Sequence, residues 1–281
     1  MTRLPFHKLF PEGNPTILID NRERLISPEQ YGFLGAALMS EPYLGGEQVG
    51  FIETPRSPDA QGRMVMMGGE LCLNALRAYG LLLGLDGSDE AAATPFLVET
   101  SGAESMVEVT AAARGDAHDA EVVVRLPLRP HVRRPSPDLA TVRLPGIVHF
   151  VEAAGDSPSD PAADAERLST LMAEAIAAGE RAEAFGLMRY RPEAPDEARL
   201  TPLVHVVASG TTVMETSCGS GAVALHASGA DSRPLRVRQP SGAVLHVDVD
   251  DGMYTLRGGV QLLAQGVVSM PRRRDADASR S

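Results

Sequence analysis

Apolar residues fall in short runs separated by Gly, Pro, Asn and Asp, a pattern that predicts brief strands interrupted by a few helical stretches. The run at 15–20 (PTILID) is entered through the turn pair Gly13-Asn14 and predicts a strand. Ser27-Pro28-Glu29-Gln30 then supplies an N-cap, a proline for the first helical position and a capping-box Gln, so a helix is expected to reach about Ser40. Strands are expected at 49–53, after the turn Gly45-Gly46-Glu47-Gln48, and at 63–67, ending at Gly68-Gly69. Residues 73–83 carry apolar side chains on every side, the signature of a helix inside a core. Further strands are expected at 96–99, 105–111 and 121–126, the last two joined by a polar turn around Arg114-Gly115-Asp116.

Residues 127–139 are rich in Pro and Arg and read as a solvated linker. Beyond them the order repeats. A glycine and a strand come at 146–152, echoing 13–19, and an Ala-rich helix is expected at 162–179 after an Asp/Ser/Pro loop at 155–161. Strands follow at 184–189 and 202–208, then a small-residue buried helix at 219–227, a hairpin around Asp250-Asp251-Gly252, and a last strand at 266–269. The tail 271–281, with its PRRR, reads as disordered.

At 281 residues the chain is long enough for two lobes or one large domain. Its formal net charge of −11 argues against a nucleic-acid partner, which needs a basic face. No apolar run approaches the roughly 20 residues of a membrane helix, and the first residues lack the apolar stretch of a secretory signal. No membrane association and a cytoplasmic location are therefore expected, and cysteines there stay reduced.

The chain has two cysteines, and each opens a similar pattern: Cys72-Leu73-Asn74-Ala75 and Cys218-Gly219-Ser220-Gly221. A glutamate precedes each, Glu70 and Glu215, and the spacing between the thiols is about half the chain, as if two related lobes each contribute one. A cysteine at a helix N-terminus meets unpaired N–H groups and the positive end of the dipole, which favour the thiolate and also hold a substrate carboxylate. Small residues such as Ala75, Gly219 and Gly221 let a carboxylate approach the backbone. Two such ends face to face would grip an amino acid's α-carboxylate and place one sulfur on each side of its α-carbon. One thiolate then removes the proton and the opposing thiol returns one, which is racemisation with no cofactor. The sequence shows no metal-ligand cluster, dinucleotide loop or phosphate loop.

Taken together these motifs resemble the diaminopimelate epimerase family. The likeness rests on Gly13-Asn14, Gly46-Glu47-Gln48, Glu70-x-Cys72-x-Asn74, Glu99-Thr100-Ser101-Gly102, Gly146-x-x-His149, Glu215-Thr216-Ser217-Cys218-Gly219-Ser220-Gly221 and Gly266. It implies an α+β fold of two pseudo-symmetric lobes, each a curled sheet or barrel around a central helix. Residues 1–128 would form the first lobe, completed by a strand near 264–270, and 129–263 the second. It implies Cys72 and Cys218 as the two bases, with Asn14, Gln48, Leu73, Asn74, Ala75, Gly219, Ser220 and Gly221 around the substrate and His149 placed to poise a thiol. It implies a small amino-acid substrate, no cofactor and no metal, with a homodimer as the candidate assembly.

Departures bear on the substrate. The family's Glu-Arg pair upstream of the second cysteine is replaced by Ser209-Gly210-Thr211-Thr212, and an Asn after the second-lobe glycine by Ile147. Those groups would grip the distal end of diaminopimelate. The pattern Gly-Gly-Glu-x-Cys-x-Asn-Ala with Met-Glu-Thr-Ser-Cys-Gly-Ser-Gly is most similar to the histidine racemases of staphylopine-type metallophore synthesis, in which case Glu47 would accept the imidazole N–H. Diaminopimelate epimerase, a proline-type racemase and a non-catalytic amino-acid-binding protein stay open beside that reading.

Overall fold

A computed structural model describes residues 2–86, 95–154, 160–229 and 233–270. In chain order these form β1 (Arg3–Phe10), β2 (Thr16–Asp20), α1 (Tyr31–Met39), β3 (Gln48–Glu53), β4 (Gly62–Met66), α2 (Leu73–Asp86), β5 (Phe96–Thr100), β6 (Val107–Arg114) and β7 (Asp116–Pro127). Then come β8 (His131–Ser136), β9 (Leu139–Leu144), β10 (Ile147–Ala153), α3 (Pro161–Ala177), β11 (Ala184–Ala194), β12 (Glu197–Val206) and β13 (Thr211–Met214). The last elements are α4 (Gly219–Ser228), β14 (Leu235–Arg238), β15 (Val244–Asp250) and β16 (Met253–Ser269).

Strands β1 to β7 are neighbours in sequence order, and β16 pairs with both β7 and β1, closing an eight-strand ring. From β16 the sheet continues through β15, β14, β12, β11, β10 and β9 to β8, with β13 beside β12. Among the described pairings this second run stays open. The same alternation of neighbours occurs twice: β2∥β3 and β4∥β5 in the ring, β10∥β11 and β12∥β14 beyond it. Helix α2 packs on β6, β7 and β16, and α4 on β9, β10 and β15.

Both helices are apolar all round because they are enclosed. In α2 Ala75, Leu76 and Ala78 have no accessible surface or almost none, and in α4 the same holds for Ala222, Val223 and Ala224. The two helices also touch each other. A Cβ on Gly219 would stand 2.8 Å from Leu256 Cδ2 and 3.0 Å from Leu73 Cβ, so glycine there serves helix packing.

Several expectations need correcting. The stretch 127–139 is not a plain linker: it contains β8, an edge strand whose Arg and Pro residues are those that protect an exposed edge. Strand β1 escaped notice because Pro5 and its basic residues break the apolar pattern, yet it is the strand that closes the ring. The four-residue strands β13 and β14 and the strand β9 were also unforeseen. The helix expected from Ser27 begins as a 3-10 turn over Pro28–Gln30, with Ser27 N donating to Gln30 Oε1 at 3.3 Å, before α1 proper. The last strand is the end of the 17-residue β16. The tail 271–281 and most of the 155–161 loop lie outside the described residues. None of the described helices is long and apolar enough to cross a membrane.

Candidate active site

Each thiol sits at the start of a buried helix. Cys72 immediately precedes α2, and its Sγ accepts from Ala75 N at 3.3 Å. Cys218 is the N-cap of α4, with Sγ accepting from Gly221 N at 3.3 Å and its own N–H donating to Gln239 Oε1 at 2.9 Å. A cysteine thus does what a capping Ser or Asp does, satisfying one orphan N–H of the first turn. The two thiols line one cavity of about 30 Å³. Glu47, Gln48, Glu70, Glu215, Ser220 and Thr211 share its walls with Met67, Leu71, Ile147, Val204, Val206 and Val213.

Burial governs the electrostatics. It pushes both thiols above their ordinary range, and the N–H groups of the helix ends only partly offset it. The lowered thiol pKa expected from the helix dipole is therefore corrected. Burial also raises Glu70 and Glu215 to about 7 each, and it raises Glu47. The cavity lining holds three carboxylates and no basic side chain. Outside the lining, Arg77, with no exposed surface, interacts electrostatically with Cys72, and burial lowers it to about 10.

The other expected residues divide between the cavity and its support. Glu47 lines the cavity, but both its oxygens are engaged: Asn14 Nδ2 donates to Oε2 at 2.8 Å, Thr216 N to Oε2 at 3.0 Å, and Thr216 Oγ1 to Oε1 at 2.7 Å. Asn14 is fully buried behind it. Gln48 is central, since its Oε1 accepts from Cys72 Sγ at 2.6 Å while its Nε2 donates to Glu215 Oε1 at 2.7 Å. Asn74 points away from the cavity, donating to Ser217 O at 2.7 Å and accepting from Arg77 at 2.9 Å, so it locks the start of α2 to the segment before α4. Leu73, Ala75, Gly219 and Gly221 contribute backbone and packing and do not line the cavity. His149 is fully buried and hydrogen-bonded through Nε2 to Ser220 Oγ at 3.0 Å, and Ser220 Oγ lies 3.6 Å from Cys218 Sγ. Burial lowers that histidine to about 3, so it is neutral and acts on the thiol through Ser220.

Sequence reasoning noted Glu70 and Glu215 beside the cysteines without placing them in the site. Their signal was the Glu-x-Cys and Glu-x-x-Cys spacing. It missed Arg77, Thr216, Gln239 and the valines of the apolar wall.

The model of the histidine racemase CntK N-terminal domain matches residues 3–269. A histidine racemase of Fusobacterium nucleatum subsp. nucleatum is 30% identical over 271 residues, covering 94% of this chain and 96% of that protein. Among solved structures, a hydroxyproline epimerase from Agrobacterium vitis with bound trans-4-hydroxy-L-proline superposes with a TM-score of 0.68 at 13% identity, covering 97% of this chain and 94% of that one. A PhzF-family phenazine biosynthesis protein of Bacillus anthracis gives 0.62 at 13% identity, covering 96% and 100%. These two likenesses carry the fold alone, which is of the proline racemase and PhzF kind rather than specifically that of diaminopimelate epimerase. By the match over nearly its whole length, the chain belongs to the family of the histidine racemase CntK N-terminal domain.

Proposed function

We propose that this protein interconverts L- and D-histidine, with Cys72 and Cys218 as opposed acid and base on the two faces of the α-carbon. The observation that carries the reading is that two thiols 146 residues apart, each at the N-terminus of a different buried helix, line a single cavity. Helices α2 and α4 begin beside this cavity, and the positive ends of their dipoles suit the α-carboxylate and the charge that develops on it as the α-proton leaves. Each half of the chain, 1–128 with the strand near 264–270 and 129–263, supplies one such end.

The rest of the cavity suits a flat side chain that carries a hydrogen-bond donor. Glu70 Oε2 has no hydrogen-bond partner, whereas both oxygens of Glu47 already accept from Asn14 and Thr216, so Glu70 is the carboxylate that suits the substrate's ammonium or imidazole N–H. Ile147, Val204, Val206 and Val213 form an apolar wall for the ring, and nothing there fits a distal amino-carboxylate. At about 30 Å³ the cavity has room for one or two waters, so its walls separate to admit an amino acid and close to exclude solvent.

Incubation with L-histidine in deuterated water tests this: deuterium at Cα and D-histidine are both expected, and absence of both overturns histidine as substrate. Cys72→Ser and Cys218→Ser should each lower the rate by about 10² to 10⁴ fold. Full activity in either would refute the two-base scheme.

A further inference from the structure

Both thiols are buried and hold their protons, so each must lose one before it acts as a base. Glu215 is the cavity carboxylate with a path to both. Its carboxylate shares the cavity wall with the Cys218 thiol and interacts with it electrostatically, and its Oε1 accepts from Gln48 Nε2 at 2.7 Å, while Gln48 Oε1 accepts from Cys72 Sγ at 2.6 Å. This hydrogen-bonded chain crosses from one half of the molecule to the other.

We propose that Glu215 is the common proton acceptor of the two thiols, reached directly by Cys218 and by way of Gln48 by Cys72. The inference rests on the racemase reading and adds to it the group that arms the thiols. An ionised carboxylate only accepts, so the amide nitrogen must face Glu215 and the amide oxygen must face Cys72, which is then a thiol. Once Glu215 is protonated, a half-turn of the amide lets Oε1 accept from the carboxyl and Nε2 donate to a Cys72 thiolate. With both groups ionised, nothing donates to the amide oxygen and a buried hydrogen bond is unmade. Gln48 is thus a positioning residue that disfavours the loss of both protons and couples the ionisation of Cys72 to the protonation of Glu215.

The transfer is balanced within the cavity. A thiol S–H breaks, the proton forms an O–H on the Glu215 carboxylate, and a thiolate and a carboxylic acid result with no change in total charge. For Cys72 the proton crosses on a water, for which the cavity has room. The groups acting on Glu215 are Cys218, Gln48, Glu47 and Glu70, with no cation among them. Arg77 acts on Cys72 and Glu183 on Glu70. Burial in this acidic setting holds Glu215 at about 7, suited to taking and returning a proton near neutrality.

Two readouts test the proposal: kcat/KM for histidine from about pH 5.5 to about pH 10, and the iodoacetamide alkylation rate of each cysteine, resolved by peptide mass. Wild type should show an acid limb near pH 7. Glu215→Gln should lose that limb, fall by about 100-fold or more at neutral pH, and recover only as the thiols themselves ionise. Gln48→Met should slow alkylation of Cys72 by about tenfold and leave Cys218 within about twofold. Glu215→Asp should keep the limb at reduced rate, and with Gln48→Met it decides the matter if Glu215→Gln fails to melt cooperatively. Persistence of the limb in Glu215→Gln, or equal slowing of both cysteines in Gln48→Met, overturns the proposal. Alkylation needs no substrate, so an enzyme that fails to racemise histidine defeats the functional reading while this test still stands.

Discussion

Arg77 carries a guanidinium with no exposed surface, held by Pro11 O at 3.2 Å, Asn74 Oδ1 at 2.9 Å and the Glu12 carboxylate at 3.5 Å. Through Asn74 it braces Ser217 O, one residue before the second thiol. Replacement by Met leaves Asn74 Oδ1 without its donor and removes the ion pair to Glu12, which keeps Arg114 3.9 Å away, and breaking such a pair costs about 3 to 5 kcal/mol when it is fully buried. Glu12 keeps 22% of its side chain exposed, which places the expected loss at the lower end, measurable by urea unfolding. Arg77→Lys should rescue little of it, because an ammonium lacks the fork that reaches three acceptors. None of this was legible from sequence, where Arg77 is one charge in an apolar helix. The cysteines were legible because their motif is local and repeated. The Gln48 to Glu215 bridge joins residues 167 apart, and a polar contact of that span leaves no periodic trace.

Elements were legible where one face or all faces of a segment meet a core, as in α2, α3, α4, β2, β3 and β10. They were hidden where the pattern is set by neighbours: β8 is an exposed edge, β1 contains proline, and β13 and β14 are too short to alternate. Close approach of elements is the same kind of hidden fact. Gly80, inside α2, faces β6 and β7 so tightly that a Cβ would lie 2.3 Å from Val109 Cγ1 and 3.0 Å from Val122 Cγ1. Gly80→Ala gains up to about 1 kcal/mol of helix propensity, but overpacking against two stiff β-branched side chains costs about 1 to 3 kcal/mol. Net destabilisation is expected, read as a lower thermal midpoint. A midpoint raised by the substitution would show that α2 shifts freely inside its ring.

For the molecule as a whole, the buried acids of the cavity link folding to pH. Glu70 has a folded pKa of about 7 against an ordinary value of 4.5, so between those pH values the native state keeps a proton that the unfolded chain has lost. Its contribution to stability is present in full below about pH 4.5, is lost as pH rises to about 7, and stays lost above. Glu215 behaves in the same way, and since the two interact their protons leave in coupled steps. His149 runs in the opposite sense. Its folded value of about 3 lies below the ordinary 6.5, so its contribution is present above about pH 6.5 and is lost as pH falls toward 3. From about pH 6.5 down to about 4.5 two acids outweigh one histidine, and acidification adds to stability. Below that range the histidine acts without them and stability declines. The native state is also relieved of self-repulsion as its net charge of −11 shrinks. A thermal midpoint that peaks near about pH 5, on the acid side of neutrality, is the expected result. Glu70→Gln isolates the cause: it should melt above wild type at pH 8, where it removes a buried charge, and match wild type near pH 4.5, where that charge is already gone. A difference of the same size at both pH values would mean that the substitution acts through packing, and that Glu70 is not the neutral acid its burial dictates.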